Sequence, residues 1–350
     1  MNAANRTETP AVEPAIAPPA PGLAQTGDER ASTRISRETI STISVAILCV
    51  VLLFGARLIN PALGSWSQVE TVLILGFFLV VLSFGQGVVI LTGGLDLSIP
   101  AVVTMGGILA TSWVGAGNPA AWYLLPAVLG ACGLVGLVTG AGVIWLKVPP
   151  FIMSMAMSII VASGLLGFTK GTPRGAAPDA AVTLMKSEIL GLPTPVVTLI
   201  VFVIAGWLFQ SRTVFGRYLY AVGTNADAAR NAGVPVTQMR LLPYVISAVC
   251  AGFVGIALVG YSSGATLRMG DDYLLPSIAA VVIGGSSILG GRGAFLGTVG
   301  GALLLTILGT IISALGLEFG LRTIIEGSII LFALLLLREE IFQKLRTLGR

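Results

Sequence analysis

Apolar blocks of about 18 to 25 residues recur along almost the whole chain, the length that carries an α-helix across a bilayer. They run approximately over Thr39–Ile59, Ser67–Leu91, Leu97–Val114, Ala121–Leu146, Phe151–Phe168, Pro193–Gln210, Leu241–Gly264, Pro276–Leu289, Ala294–Leu315 and Leu321–Leu337. In lipid each block has to satisfy its own backbone hydrogen bonds, which a helix does and an isolated strand does not. Residues are 55% hydrophobic and only 10% charged, where a soluble domain carries about 25% charge. The expected fold class is therefore an all-α polytopic membrane protein of about ten transmembrane helices. Two of them, Leu97–Val114 and Pro276–Leu289, are interrupted by Gly or Pro.

Positive charge orients the blocks, because cytoplasmic flanks are enriched in Lys and Arg. With the N-terminus inside, Arg57, Lys170, Arg174, Lys186, Arg268 and Arg322 fall on outer flanks, and the other 14 of the 20 basic residues fall on inner ones. Both termini are then cytoplasmic. Residues 1–38, rich in Ala, Pro, Thr and Glu, read as a disordered cytoplasmic tail. Residues 39–337 form the membrane domain, and 338–350 a second cytoplasmic tail. Lys170–Lys186 and Leu267–Tyr273 become outer loops. Arg322 and Glu326, spaced i, i+4, are placed to pair near the outer start of the last helix.

The chain offers little for catalysis. It has no His, and its three cysteines, Cys49, Cys132 and Cys250, are far apart inside apolar blocks, so no metal site, haem or catalytic residue is expected. It has no G-x-x-x-x-G-K-[ST], so no nucleotide is bound by this chain, and it carries no nucleic-acid signature. If transport is active, its free energy comes from an ion gradient or from a separate subunit.

Glycine-rich breaks stand out instead. Thr92–Pro100 reads TGGLDLSIP, and Asp96 is the one carboxylate between Glu70 and Asp179. A carboxylate at the centre of a bilayer helix costs roughly 2.5–3.5 kcal/mol. Gly93 and Gly94 end the second helix, Asp96 is placed to cap the N–H groups of the third, and Ser98 and Pro100 sit at its start. Alternatives for Asp96 are a part in gating or a solute contact. Ile283–Gly301, IGGSSILGGRGAFLGTVGG, is a second break, with Gly284 and Gly285 as its hinge. Interrupted helices at corresponding places in two halves mark transporters. Gly136 and Gly140, like Gly297 and Gly301, have G-x-x-x-G spacing suited to close helix packing.

The longest polar stretch inside the membrane domain is Ser211–Pro243, with Arg212, Arg217, Arg230 and Arg240. It reads as a cytoplasmic loop holding a short helix, capped by Thr224 or Asn225, favoured by Asp227 at its N-terminus and stopped by Gly233–Pro235. Such a helix fits a partner's cleft and passes rigid-body motion to the spans it joins.

Five stretches in a fixed order, TGGLDLSIPAVVTMGG, VPPFIMSMAMS, TKGTPRG, VFGRYLYAVGTNADAARNAGV and SIAAVVIGGSSILGGRGAFLGTVGGAL, resemble the permease subunits of monosaccharide ABC importers of the ribose/xylose/galactose type. The resemblance covers roughly residues 65–335. It implies a bacterial inner-membrane subunit that pairs with a second permease copy, identical or related. A cytoplasmic ABC ATPase would bind ATP for it, a periplasmic sugar-binding protein would deliver solute, and lipid would surround it. It implies no enzyme activity in this chain. It also implies that Gly223, Asn225, Asp227, Ala228, Ala229 and Gly233 form the ATPase-coupling segment, although Ala226–Asp227 stand where such motifs often carry Glu. The rival expectation is an ion-coupled secondary transporter of sugar or another solute, against which the scarcity of intramembrane acids counts.

Overall fold

The computed structural model describes residues 37–58 and 64–316, with isolated positions between 320 and 331. Residues 1–36, the C-terminal tail, the Arg322–Glu326 pair and most of the block Leu321–Leu337 lie outside the described residues, while Arg37 and Glu38, expected in the disordered tail, begin the first helix.

Each apolar block within this range forms a helix over most of its length. The elements are α1 (Arg37–Gly55), α2 (Trp66–Leu91), α3 (Ile99–Leu109), α4 (Ala121–Ile144), α5 (Pro150–Thr169), α6 (Asp179–Lys186), α7 (Thr194–Arg212), α8 (Val214–Thr224), α9 (Ala226–Asn231), α10 (Val236–Ser262), α11 (Leu274–Ile283) and α12 (Phe295–Ala314). Six of the described helices, α2, α4, α5, α7, α10 and α12, are long and apolar enough to cross a bilayer. This establishes an all-α polytopic membrane protein. Among the described residues the strand content is one short hairpin, Glu188–Ile189 with Leu192–Pro193, before α7.

Local chemistry sets the ends. Ser65 caps α2 by accepting from the Gln68 N–H at 3.3 Å. Pro150 opens α5 at a position where its missing donor is not needed, and Lys170 closes it in the left-handed region at φ 51°. The α3 helix passes at Ala110–Val114 into a π-turn that carries the chain out of the bundle.

Two helices, α2 and α10, form the centre. Of the most apolar window of α2, 78% is buried, against 17% for α5, whose outer face is left to lipid or a partner. The α10 helix packs on α2, α3, α4 and α6, while α12 packs on α1, α2 and α11. Small residues make these approaches possible. A Cβ at Gly106 would overlap the backbone of Gly252, one at Gly255 would strike Val103 O, and one at Gly136 would strike Tyr244 O.

Three expectations change. Ser211–Pro243 is not a loop but two short helices and the first turns of α10, which begins at Val236, five residues ahead of the expected Leu241. The apolar character of Val236 and Met239 explains it, for both are buried with Val222 and Ala229 in a cluster of their own. The block Pro276–Leu289 is helical only to Ile283, where Gly284 and Gly285 end it. Leu267–Tyr273 is no simple outer loop, because Gly270 is buried against Pro100 at the start of α3.

Candidate functional site

Three interruptions of the helical framework meet at one end of the bundle: the segment between α2 and α3, the turn between α11 and α12, and the end of α8. Each is built from glycines that bring backbone against backbone.

The α2 helix ends because Gly93 takes φ +78°, and the chain runs on through Leu95–Leu97 to α3. Gly94 lies under the Tyr244 hydroxyl, with no room for a Cβ between them. Asp96 is then fully buried, 1% exposed, and points sideways. Its Oδ1 accepts from the Ser98 N–H at 2.9 Å and from Ser98 Oγ at 2.6 Å, and its Oδ2 accepts from Ser247 Oγ on α10 at 2.7 Å. This corrects the capping expectation. Ser98 occupies the N-cap of α3, and the Asp96 carboxylate binds that residue rather than the first-turn amides. The cause is geometric: Asp96 lies two residues before the cap, within reach of the cap's own N–H and of the neighbouring helix. The result is a bolt between the α2–α3 break and α10. On the far side, Ser154 Oγ of α5 donates to Pro150 O at 2.8 Å and lies 3.3 Å from Leu95 O.

The second break is exposed and closed mostly by main chain. Gly285, Gly290 and Gly291 have φ of +90°, +88° and +73°. The Ser287 N–H donates to Arg292 O at 2.9 Å, and the Gly290 N–H to Ser287 O at 3.0 Å. Gly284 packs directly on the Gly297–Thr298 backbone of α12, so Gly284 and Gly285 anchor the turn while Gly290 and Gly291 make its contacts. Those contacts reach the first break: the Gly291 N–H donates to Leu91 O at 3.0 Å, and Gly290 sits against Gly93.

The α8 helix completes the junction. A Cβ on Gly223 would strike Leu91 O and the Gly291 backbone together. Tyr220, one turn earlier, donates from Oη to Gly293 O at 2.6 Å and accepts from Gln210 Nε2 at 2.7 Å. Beside it, Ser83, Gln210, Ser286 and Thr298 line a small cleft otherwise walled by Phe84, Leu91 and Phe295.

Beyond Gly223 the residues turn outward. Asn225 Oδ1 caps α9, accepting from the N–H groups of Asp227 and Ala228 at 3.1 and 3.0 Å. Asp227 pairs with Arg230 at 3.1 Å on the open surface, a contact of small energetic weight. Ala228 is exposed, Ala229 is buried against Val222 and Met239, and Gly233 ends α9 at φ +82° with open space around it. The structure thus joins Gly223 to Gly93 and Gly94 through Leu91 and Gly291, and holds Asp227, Ala228 and Gly233 clear of them. Sequence reasoning missed Tyr220, Tyr244, Ser247 and the Gly290–Gly291 contact. Ser247 in particular has no signal, being one hydroxyl in an apolar helix.

Comparison with known proteins identifies the family. A family model described as "Branched-chain amino acid transport system / permease component" matches residues 68–337. The probable ABC transporter permease protein y4mJ of Sinorhizobium fredii is 32% identical over 296 residues, covering 84% of this chain and 87% of its own. The ribose import permease RbsC of Escherichia coli K12 is 33% identical over 259 residues, 73% of this chain and 80% of its own. The autoinducer 2 import permease LsrD of Photorhabdus temperata is 27% identical over 300 residues, 83% and 88%. No solved structure matches the chain.

Proposed function

The chain belongs to the branched-chain amino acid transport system / permease component family, and from that premise we propose that it is the membrane-spanning permease of an ATP-driven importer for a monosaccharide. Similarity to ribose and autoinducer 2 import permeases supports the solute class. In this reading ten spans cross the bacterial inner membrane with both termini inside. A separate ABC ATPase docks on α8 and α9 and binds the ATP, a periplasmic binding protein delivers sugar to the opposite face, and a second permease copy completes the path. Lipid surrounds the outer helices.

The observation that carries the reading is the seat of Gly223. The α8 helix, which leads directly into the outward-facing Asn225, Asp227 and Ala228 of α9, is pressed at Gly223, two residues before Asn225, against the end of α2 and the turn before α12. Motion imposed on α8 and α9 has to displace both breaks, because their backbones are in contact with no side chain to yield. Coupling needs such a two-state element joined to both sites. Opening would part the Asp96–Ser247 bolt and free α3 from α10.

Reconstitution tests this. Permease, the ATPase and the binding protein encoded beside it are placed in liposomes and given labelled pentoses and hexoses. Uptake should require ATP and vanish when the ATPase carries a disabled phosphate-binding lysine. Uptake that survives that change but collapses with an uncoupler overturns the proposal in favour of ion coupling.

A further inference from the structure

The segment between α10 and α11 does not stay at the end of the bundle. After Ser263, in the left-handed region at φ 68°, the chain turns back inward. The Sδ of Met269 reaches Gly107 of α3, and the Gly270 backbone is pressed on Pro100 at the first turn of α3. The Gly270 N–H points to Thr104 Oγ1 at 3.4 Å. The Tyr273 ring lies 6.4 Å from that of Phe78, which is midway along α2. From there α11 has only 10 residues, about 15 Å at the helical rise, before Gly284 meets the start of α12. The first half of this crossing is a chain of turns ending in a 3-10 turn, Asp271–Tyr273, and the second half is α-helix; the switch between them lies level with the middle of α2.

That switch point is charged and open. Arg268 Nε donates to Asp271 Oδ2 at 2.6 Å, with side chains 83% and 40% exposed, and Asp272 beside them is exposed as well. Facing hydrocarbon at this depth, each charge would cost roughly 2.5–3.5 kcal/mol. Irregular backbone at membrane depth is tolerated where it is buried in protein or lines a water-filled cavity. Gly270, buried, meets the first condition; its charged neighbours require the second.

We propose that Arg268, Asp271 and Asp272 line the aqueous solute path at mid-depth and hydrogen-bond to the hydroxyls of the transported polyol. This rests on the sugar-importer reading. Two carboxylates accept from neighbouring hydroxyls, and the guanidinium, held in place by Asp271, donates to ring or hydroxyl oxygens. One cation and two anions leave the site with a net negative charge, which admits neutral sugars and repels sugar acids and phosphates.

The test labels the path without needing the solute. Asp272→Cys, in the full complex, should react with a membrane-impermeant charged thiol reagent during ATP turnover. Ile204→Cys, at a 52% exposed apolar position midway along α7, should not. Both cysteines are introduced into a Cys49→Ser chain, which alone serves as the blank, since Cys49 is half-buried whereas Cys132 and Cys250 are buried. A sugar that the unmodified complex imports should slow the Asp272→Cys reaction. Asp272→Asn should lower uptake at least tenfold, chiefly through KM, with no loss of thermal stability because the group is exposed. Equal reactivity at both positions, or none at Asp272→Cys in any nucleotide state, overturns the proposal. So does unchanged uptake in Asp272→Asn. If instead the unmodified complex imports no sugar while Asp272→Cys still reacts, it is the sugar reading that fails and the wet path that stands.

Discussion

The two glycine-rich breaks solve one problem in opposite ways. Between α2 and α3 the polar groups of the break, Asp96 and Ser98, are buried, and a single carboxylate closes it: Asp96 gathers Ser98 and, across to α10, Ser247. Between α11 and α12 the tip of the turn is exposed, with Leu289 88% accessible, and closure is by main-chain bonds, Ser287 N–H to Arg292 O and Gly290 N–H to Ser287 O, in a turn that Gly285, Gly290 and Gly291 bend at positive φ. A buried break has to supply partners for polar groups that water does not reach, so it needs a side chain with several acceptor sites. An exposed break needs only a conformation that L-residues avoid, which glycine supplies. The first is a bolt that can be drawn; the second is a fitted plate. Gly223 touches both.

The strongest way to break this comparison is therefore Gly223→Val. Its Cβ meets Leu91 O and the Gly291 backbone, neither of which has a side chain to move. Overpacking a well-fitted site costs about 1–3 kcal/mol, and more where backbone must shift. ATP-dependent uptake should fall below detection, and the melting temperature of the purified permease should drop. Gly233→Ala is the comparator: the surrounding space is open and only the left-handed φ of +82° is strained, at about 1–2 kcal/mol confined to α9. It should retain most of its stability. Equal melting curves for the two variants would show that the seat of Gly223 is loose.

Next in size is the bolt. Asp96→Leu leaves the Ser98 N–H and two hydroxyls without their acceptor in a buried place, at about 1–3 kcal/mol for each orphaned group. Expression and thermal stability should fall together. Asp96→Asn keeps an acceptor for Ser98 and offers Ser247 a donor, so it should fold and keep much of its uptake. Complete loss of uptake in a stable Asp96→Asn would mean that the charge itself acts in transport, and the two breaks would differ in function as well as construction.

These differences bear on what the sequence could disclose. Helices follow from long apolar runs, which is why α2, α4, α5, α7 and α12 begin and end near the expected residues. Glycine pairs announce both breaks. What one-dimensional pattern does not carry is depth and partnership. Ser247 looks like any hydroxyl tolerated in a helix until the fold sets it 2.7 Å from Asp96. Val236 and Met239 look like part of a polar loop until Val222 and Ala229 arrive to bury them. Leu267–Tyr273, with its charges, reads as a surface connector, because buried Gly270 gives no hint in sequence that it reaches Pro100. The short helix α9 is readable because its cap, acid and stop all lie within ten residues of one another; the junction that α8 presses on joins residues up to 200 positions apart.

The smallest effect probes the plate from its two sides. If the α11–α12 turn is held by backbone, its side chains should be dispensable and its glycines should not. Leu289→Ser alters an exposed tip and should leave melting within about 0.5 kcal/mol of the unmodified chain, the usual range for surface positions. Gly290→Ala adds one methyl group at φ +88°, 2.9 Å from the Gly93 nitrogen and 3.0 Å from Leu91 O. Strain and contact act together there, so it should melt measurably lower and import more slowly. Thermal denaturation of the two variants side by side decides the matter. A Leu289→Ser that destabilises as much as Gly290→Ala would mean that side chains also hold the second break, and the contrast with Asp96 would be one of degree.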